Sequence, residues 1–146
     1  MKIKQFEDAV LKGLSLDKKK LPSWLIFDSK GSEIFDRITH LENYHPSKCE
    51  MEIFNTYKSK LSKIFSNTPS HLVELGSGDG KKTAVLIKQL LEDGVKVQYT
   101  PIDISEGAIN NLTATLNKKF CNLSLNITGW VGDYFDGLAS ITNNEK

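Results

Sequence analysis

The stretch HLVELGSGDGKKT, His71 to Thr83, limits what this chain can fold into more than any other part of it. An apolar run of strand length enters a turn with glycine at 76, 78 and 80, then leaves through Lys81, Lys82 and Thr83. Glycines at alternate positions allow positive φ and let a partner approach the backbone with no Cβ in the way. A strand that feeds such a turn and then a helix opens a βαβ unit, whose ligands sit at the carboxyl ends of the strands. The spacing decides which ligand.

Two phosphate-binding spacings fail at the same position. Counted from Gly76, G-x-x-x-x-G-K-[ST] places Lys82 and Thr83 in register but requires glycine where Lys81 stands. A side chain there obstructs the amides that wrap a phosphate. G-x-G-x-x-G fits Gly76 and Gly78 and again meets Lys81, where close helix–strand packing needs a small residue. E-x-G-x-G-x-G does fit, from Glu74 to Gly80. Taken alone, the three glycines are equally compatible with a plain tight turn.

Two further strand ends decide between these readings. VKVQYTPID reads as a second strand ending in Asp103, and LSLNITGWVGD as a third ending in Asp133 and Tyr134. A carboxylate at the end of the second strand is placed to accept both hydroxyls of a ribose. Asp133 and Tyr134 are placed to bond an adenine amine and flank its ring. Each has a plainer reading: Asp103 as the acidic neighbour of a helix N-terminus, Asp133–Tyr134 as a surface turn. Their order along three successive strand ends favours S-adenosylmethionine as the ligand.

Between the strands, a helix is predicted from about 80 to 93, with Ala84, Ile87 and Leu91 inward and Gly94 as its stop. Ser105 caps another that carries Ile109, Leu112 and Leu116. Strand and helix in alternation predict an α/β fold, a parallel sheet wound by right-handed crossovers. The ligand read from its strand ends makes it similar to the Rossmann-like parallel sheet of class I methyltransferases, of which the first three strands are present. A helical N-terminal segment, 1–69, precedes the first half of the cofactor domain, 70–146. Within that segment, residues 4–14 form an amphipathic helix. Ile34, Phe35, Ile38 and Leu41 share a helical face that begins near Ser32. Pro46 reads as a break, after which Ser47 and Glu50 form a capping box for a helix running to about 65. SNTPS then punctuates the chain, and the tail ASITNNEK reads as polar and weakly structured.

A formal charge of +1, with 39% apolar and 25% charged residues, gives no field for steering onto nucleic acid or anionic lipid. The N-terminus has no apolar stretch of signal-peptide length and no window approaches a membrane span, so a cytoplasmic location is expected. Cys49 and Cys121 are too few for a disulfide framework or a zinc site and read as buried, inert thiols. N-x-[ST] triplets at Asn111, Asn122 and Asn126 read as chance matches. His40 and His71 read as surface or strand-edge residues without partners. The apolar first strand, at the edge of a partial sheet, predicts a tendency to self-associate.

These residues also carry a resemblance. LPSWLIFDSKGSEIFDRITHLENYHPSKCEMEIF, LVELGSGDGKKT, YTPIDISEGAI and WVGDYF occur in that order over residues 21–136. The chain resembles the histidine-specific Nα-methyltransferases of ergothioneine biosynthesis and their relatives, which include a fungal branch acting on a prenylated tryptophan. The resemblance implies that Gly76 and Gly78 line S-adenosylmethionine and that Lys82 reaches its carboxylate end. It implies that Asp103 holds the ribose, that Asp133 and Tyr134 hold the adenine, and that Tyr44 lies over an amino-acid substrate. His45, Asp79–Gly80 and Tyr134 depart from the usual residues of that pattern. Family members are roughly twice this length, so the chain reads as a truncated version of a longer N-methyltransferase. A cofactor-binding module without turnover, or a nicotinamide-dependent oxidoreductase, remains the alternative.

Overall fold

The computed structural model describes residues 3–65, 69–121 and 123–144. Three helices come first: α1 (Ile3–Ser15), α2 (Ser29–Thr39) and α3 (His45–Phe65), with a 3-10 turn at Ser23–Ile26 before α2. Then β1 (Ser70–Leu75), α4 (Lys81–Glu92), β2 (Val97–Asp103) and α5 (Glu106–Lys119) alternate. The short strands β3 (Leu125–Ile127) and β4 (Trp130–Val131) lead into α6 (Tyr134–Asn144). This is the expected α/β arrangement of a parallel sheet behind a helical segment.

β2 is the centre of the sheet. It pairs in parallel with β1 on one side and with β3 and β4 in succession on the other. The third strand read from the sequence is therefore two pieces in one sheet position, interrupted at Thr128–Gly129. Gly129 passes so close to α5 that a Cβ there would lie 2.5 Å from Ile109 Cγ2.

Successive crossovers in one direction place α4 and α5 on the same face. Leu72 of β1, Val97 and Tyr99 of β2, and Leu125 and Ile127 meet Ile87, Leu90, Leu112 and Leu116 there. Each fully buried aliphatic side chain among these contributes about 1.5–3 kcal/mol of transfer free energy, and the partly buried Leu72, Leu125 and Ile127 contribute less. Phe54, Leu61 and Phe65 of α3 extend this core across α4. Ser62, fully buried, donates to Asp93 Oδ2 at 2.6 Å and ties the far ends of α3 and α4. α6 lies over the carboxyl end of the opposite face, where Gly137 approaches Ile102 and Trp130.

Helix ends follow local chemistry. Ser105 Oγ accepts from the Ala108 amide, as its position predicts. Gly94, at φ 79°, lets its own amide reach Leu91 O and the Val95 amide reach Leu90 O, closing α4. Other expectations need correction. α2 begins at Ser29 rather than near Ser32, because Asp28 Oδ1 accepts the Gly31 amide at 2.7 Å. Pro46 lies inside the first turn of α3, where a missing N–H costs nothing, so the helix starts at His45 and no Ser47–Glu50 box opens it.

The tail is helical to Asn144, since Asp133 Oδ1 accepts the Phe135 amide and starts a turn. Cys49 and Cys121 are exposed, not buried. His40 and His71 do have partners: His40 Nδ1 lies 2.7 Å from Asp36 O, and His71 Nε2 lies 2.9 Å from Thr100 Oγ1. Among the described residues no helix is long and apolar enough to cross a membrane. Asn122, most of SNTPS and the last two residues of the tail lie outside the described residues.

Candidate functional site

β1 and β2 end side by side, Leu75 opposite Ile102, and the glycine turn folds back over β2. The Gly76 amide donates to Ile102 O at 2.8 Å and the Ser77 amide to the same oxygen at 3.3 Å. Gly76, Gly78 and Gly80 have φ of 72°, 53° and 65°, the left-handed region that L side chains rarely adopt. Their surroundings differ. A Cβ on Gly80 would lie 2.7 Å from Leu112 Cδ1, so the third glycine lets the turn pack on α5. A Cβ on Gly76 would lie 2.9 Å from the Tyr134 hydroxyl. A Cβ on Gly78 would meet nothing within 4 Å, so the middle of the turn borders open space.

Asp103, at the end of β2, accepts the Gly78 amide on Oδ2 at 3.1 Å and the Ser105 amide on Oδ1 at 2.9 Å. One carboxylate therefore orders both the glycine turn and the start of α5. Tyr134 opens α6 with its hydroxyl against Gly76, and Asp133 precedes it. The structure brings Gly76, Gly78, Asp103 and Tyr134 together at the strand ends, with Asp133 adjoining them through the chain. In the middle of the turn the Ser77 hydroxyl is buried with no partner among the described residues.

Beneath the turn, Glu74 is clamped. Thr83 Oγ1 donates to its Oε1 at 2.6 Å, and the Tyr99 hydroxyl donates to its Oε2. Burial pushes the Glu74 carboxyl above its ordinary range. The hydrogen bonds from Thr83 and Tyr99 and the charge of Lys82 oppose that rise. Burial, with the Glu74 charge second, pushes the Tyr99 hydroxyl far up, so it is a donor throughout. The first residue of the E-x-G-x-G-x-G pattern thus joins β1, β2 and α4.

Lys82 points to α3, where it forms an ion pair with Glu50 Oε2. Lys81 pairs with Asp79 at 2.7 Å and lies 3.7 Å from Asp36 of α2. The hydrogen bond that Lys81 donates to the Asp79 carboxylate is the chief cause of its raised pKa. Both lysines therefore fasten the helical segment to the turn. Tyr44 is half-buried before α3, at the end of an edge-to-face chain: Phe27 to Phe35 at 6.2 Å, Phe35 to Tyr44 at 6.3 Å. Its ring partner Phe35 belongs to α2, whose Asp36 faces Lys81 at the end of the glycine turn. Sequence reading took Glu50 as a capping residue and gave Thr83 and Tyr99 no role. Thr83 and Glu74 flank the glycine turn within nine residues, whereas Glu50 lies 32 residues before its partner Lys82.

A concavity of about 420 Å³ lies at the opposite end of the sheet, between Ser70, His71, Val97 and Leu125. It is open and lies at the amino ends of the strands, so it has no claim as the ligand site of a parallel α/β sheet.

A sequence profile of the family described as histidine-specific methyltransferases, SAM-dependent, matches residues 6–146. The chain belongs to this family. It is 30% identical over 132 residues to a histidine N-alpha-methyltransferase of Mycobacterium tuberculosis, covering 90% of this chain and 40% of that protein. It is 31% identical over 134 residues to the N-methyltransferase dtpB of Aspergillus flavus, covering 91% and 37%. Ergothioneine biosynthesis protein 1 of Schizosaccharomyces pombe is 30% identical over 116 residues, covering 75% and 15%. The chain spans about two fifths or less of the length of these relatives.

Proposed function

We propose that this chain carries the S-adenosylmethionine-binding part of an N-methyltransferase acting on the α-amine of an amino acid, L-histidine or a relative. The observation that carries the reading is the convergence of the left-handed Gly78 and the Asp103 carboxylate, 3.1 Å apart at the carboxyl ends of adjacent parallel strands. The residues present fit the cofactor. The backbone is bare where a nucleoside must lie against it, a carboxylate faces the place of a ribose, and a buried hydroxyl on Ser77 has no partner among the described residues.

When bound, the cofactor supplies an electrophilic methyl group on a sulfonium sulfur. The chain's own residues hold and orient. Asp103 accepts from the ribose hydroxyls with lone pairs that its two backbone bonds leave free. Asp133 and Tyr134 bracket the adenine, Gly76 and Gly78 give the ligand access to the backbone, and Lys82 meets the carboxylate of its amino-acid end. Tyr44 lies over the substrate. Holding amine, methyl and sulfur in line contributes up to ~7–11 kcal/mol in favourable cases.

Calorimetric titration of S-adenosylhomocysteine into the chain, with Asp103→Ala as control, tests the reading. Binding that collapses in the variant supports it. Binding of NAD in preference to S-adenosylhomocysteine would instead make the turn a nicotinamide site. No binding of either at millimolar ligand sinks the proposal for this chain.

A further inference from the structure

Lys82 leaves the first turn of α4 immediately behind the glycine turn, and its charge reaches the Glu74 carboxylate beneath it. Its partner, Glu50, comes from α3, 32 residues earlier in the chain. The two side chains are 40% and 50% exposed, so solvent and ligand can reach them. An exposed ion pair contributes only about 0–1 kcal/mol to stability, which makes it cheap to open.

The other carboxylates around the turn are engaged. Glu74 accepts from two hydroxyls, Asp79 is held by Lys81 and its amide, and Asp103 accepts two backbone amides. Among the described residues, only Oε2 of Glu50 is engaged, by Lys82.

Resting on the cofactor reading above, we propose that Glu50 and Lys82 together are the receptor for the zwitterionic end of the cofactor. The α-carboxylate takes Glu50's place at Lys82, and the α-ammonium takes Lys82's place at Glu50. One ion pair becomes two, and each charge of the ligand meets its opposite. Glu50 is then a binding residue supplied by the helical segment, and cofactor binding is coupled to the docking of α3.

Three ligands separate the charges: S-adenosylhomocysteine, its desamino analogue, which keeps only the carboxylate, and 5′-methylthioadenosine, which has neither charge. Calorimetry with the wild-type chain, Glu50→Gln and Lys82→Met gives a crossed pattern. Glu50→Gln weakens S-adenosylhomocysteine about tenfold or more, as loss of a hydrogen bond to a charged group does. It leaves methylthioadenosine within about twofold and does not weaken the desamino analogue, which no longer has to displace Glu50 from Lys82. Lys82→Met weakens both carboxylate ligands and spares methylthioadenosine.

Loss of all three ligands together in Glu50→Gln would mean that Glu50 only holds α3 in place, and would overturn the proposal. Tighter binding of S-adenosylhomocysteine in that variant would make Glu50 a competitor for Lys82 and overturn it as well. If the wild type binds none of the three, the cofactor reading itself falls, and this inference with it.

Discussion

Two glycines of one turn are expected to fail in different ways when each is replaced by alanine. Gly78 and Gly80 have nearly the same left-handed backbone, φ 53° and 65°. The conformational cost of placing an L residue there is similar for both, about 1–2 kcal/mol. Only Gly80 adds a steric term. Its Cβ would lie 2.7 Å from Leu112 Cδ1 and 2.9 Å from Leu112 Cγ, and Leu112 is 1% exposed, with no room to swing away. Overpacking of this kind costs about 1–3 kcal/mol more. Gly80→Ala should therefore lose about 2–5 kcal/mol in urea unfolding, against about 1–2 for Gly78→Ala.

Ligand binding should rank them the other way for each unit of stability lost. The Cβ of Gly78→Ala projects into the open space beside Asp103 that the cofactor reading fills with ligand. That variant should stay folded and lose S-adenosylhomocysteine affinity by about tenfold or more, the equivalent of roughly 1.4 kcal/mol. Wild-type affinity in Gly78→Ala would refute the cradle. Equal destabilisation of the two variants would refute the packing role of Gly80.

Three further outcomes are expected. Glu74 has a raised pKa in the folded state. Its contribution to stability is full below the unfolded carboxyl value near 4.5 and is lost as pH rises through the folded value. Urea titrations from pH 4 to 7 should show this fall in the wild type and its absence in Glu74→Gln. Cys49 and Cys121 are exposed, so both thiols should react with a disulfide reagent such as DTNB without denaturant; one slow thiol would contradict the structure. β1 is the outer strand of the described sheet, next to β2, and an apolar outer strand predicts concentration-dependent association with a second copy in sedimentation, reduced by Val73→Lys.

The fold was legible where local chemistry and period agree. Strand, glycine turn and helix announce themselves at 71–83 because each demands different residues in short order. Ser105 and Gly94 likewise mark helix ends by what they alone can do there. Pro46 was misread because a proline that breaks a helix and one that starts it look alike until the preceding turn is known. α6 was missed because its start depends on an aspartate side chain folding back two residues, a contact that composition does not reveal. At the site, the glycines and Asp103 could be found by their order at strand ends. The Glu50–Lys82 pair could not, since it exists only once α3 docks on α4 across 32 residues of chain. Exposure of Cys49 is likewise a matter of which face of α3 the tertiary packing covers, while Cys121 is exposed in the turn just past the C-cap of α5.

Asp103 carries two roles with one charge, and a conservative substitution separates them. Its two oxygens accept one backbone amide each, from Gly78 and from Ser105. An asparagine keeps a single acceptor oxygen and turns an NH2 group toward the other donor. The Ser105 amide, two residues along, is the cheaper partner to keep, because little chain has to be ordered to meet it. Gly78, 25 residues away, is then the one released. A hydrogen bond to a charged group contributes about 1.5–3 kcal/mol, so amide exchange at Gly78 should speed up by roughly tenfold or more in Asp103→Asn, with Ala84 and the rest of α4 unchanged. On the cofactor reading, S-adenosylhomocysteine binding should weaken in step, because that reading gives the carboxylate that orders the turn the ribose as well. If Gly78 exchanges as in the wild type while ligand binding is lost, Asp103 serves the ligand alone and the turn is ordered by its glycines and by Ile102 O.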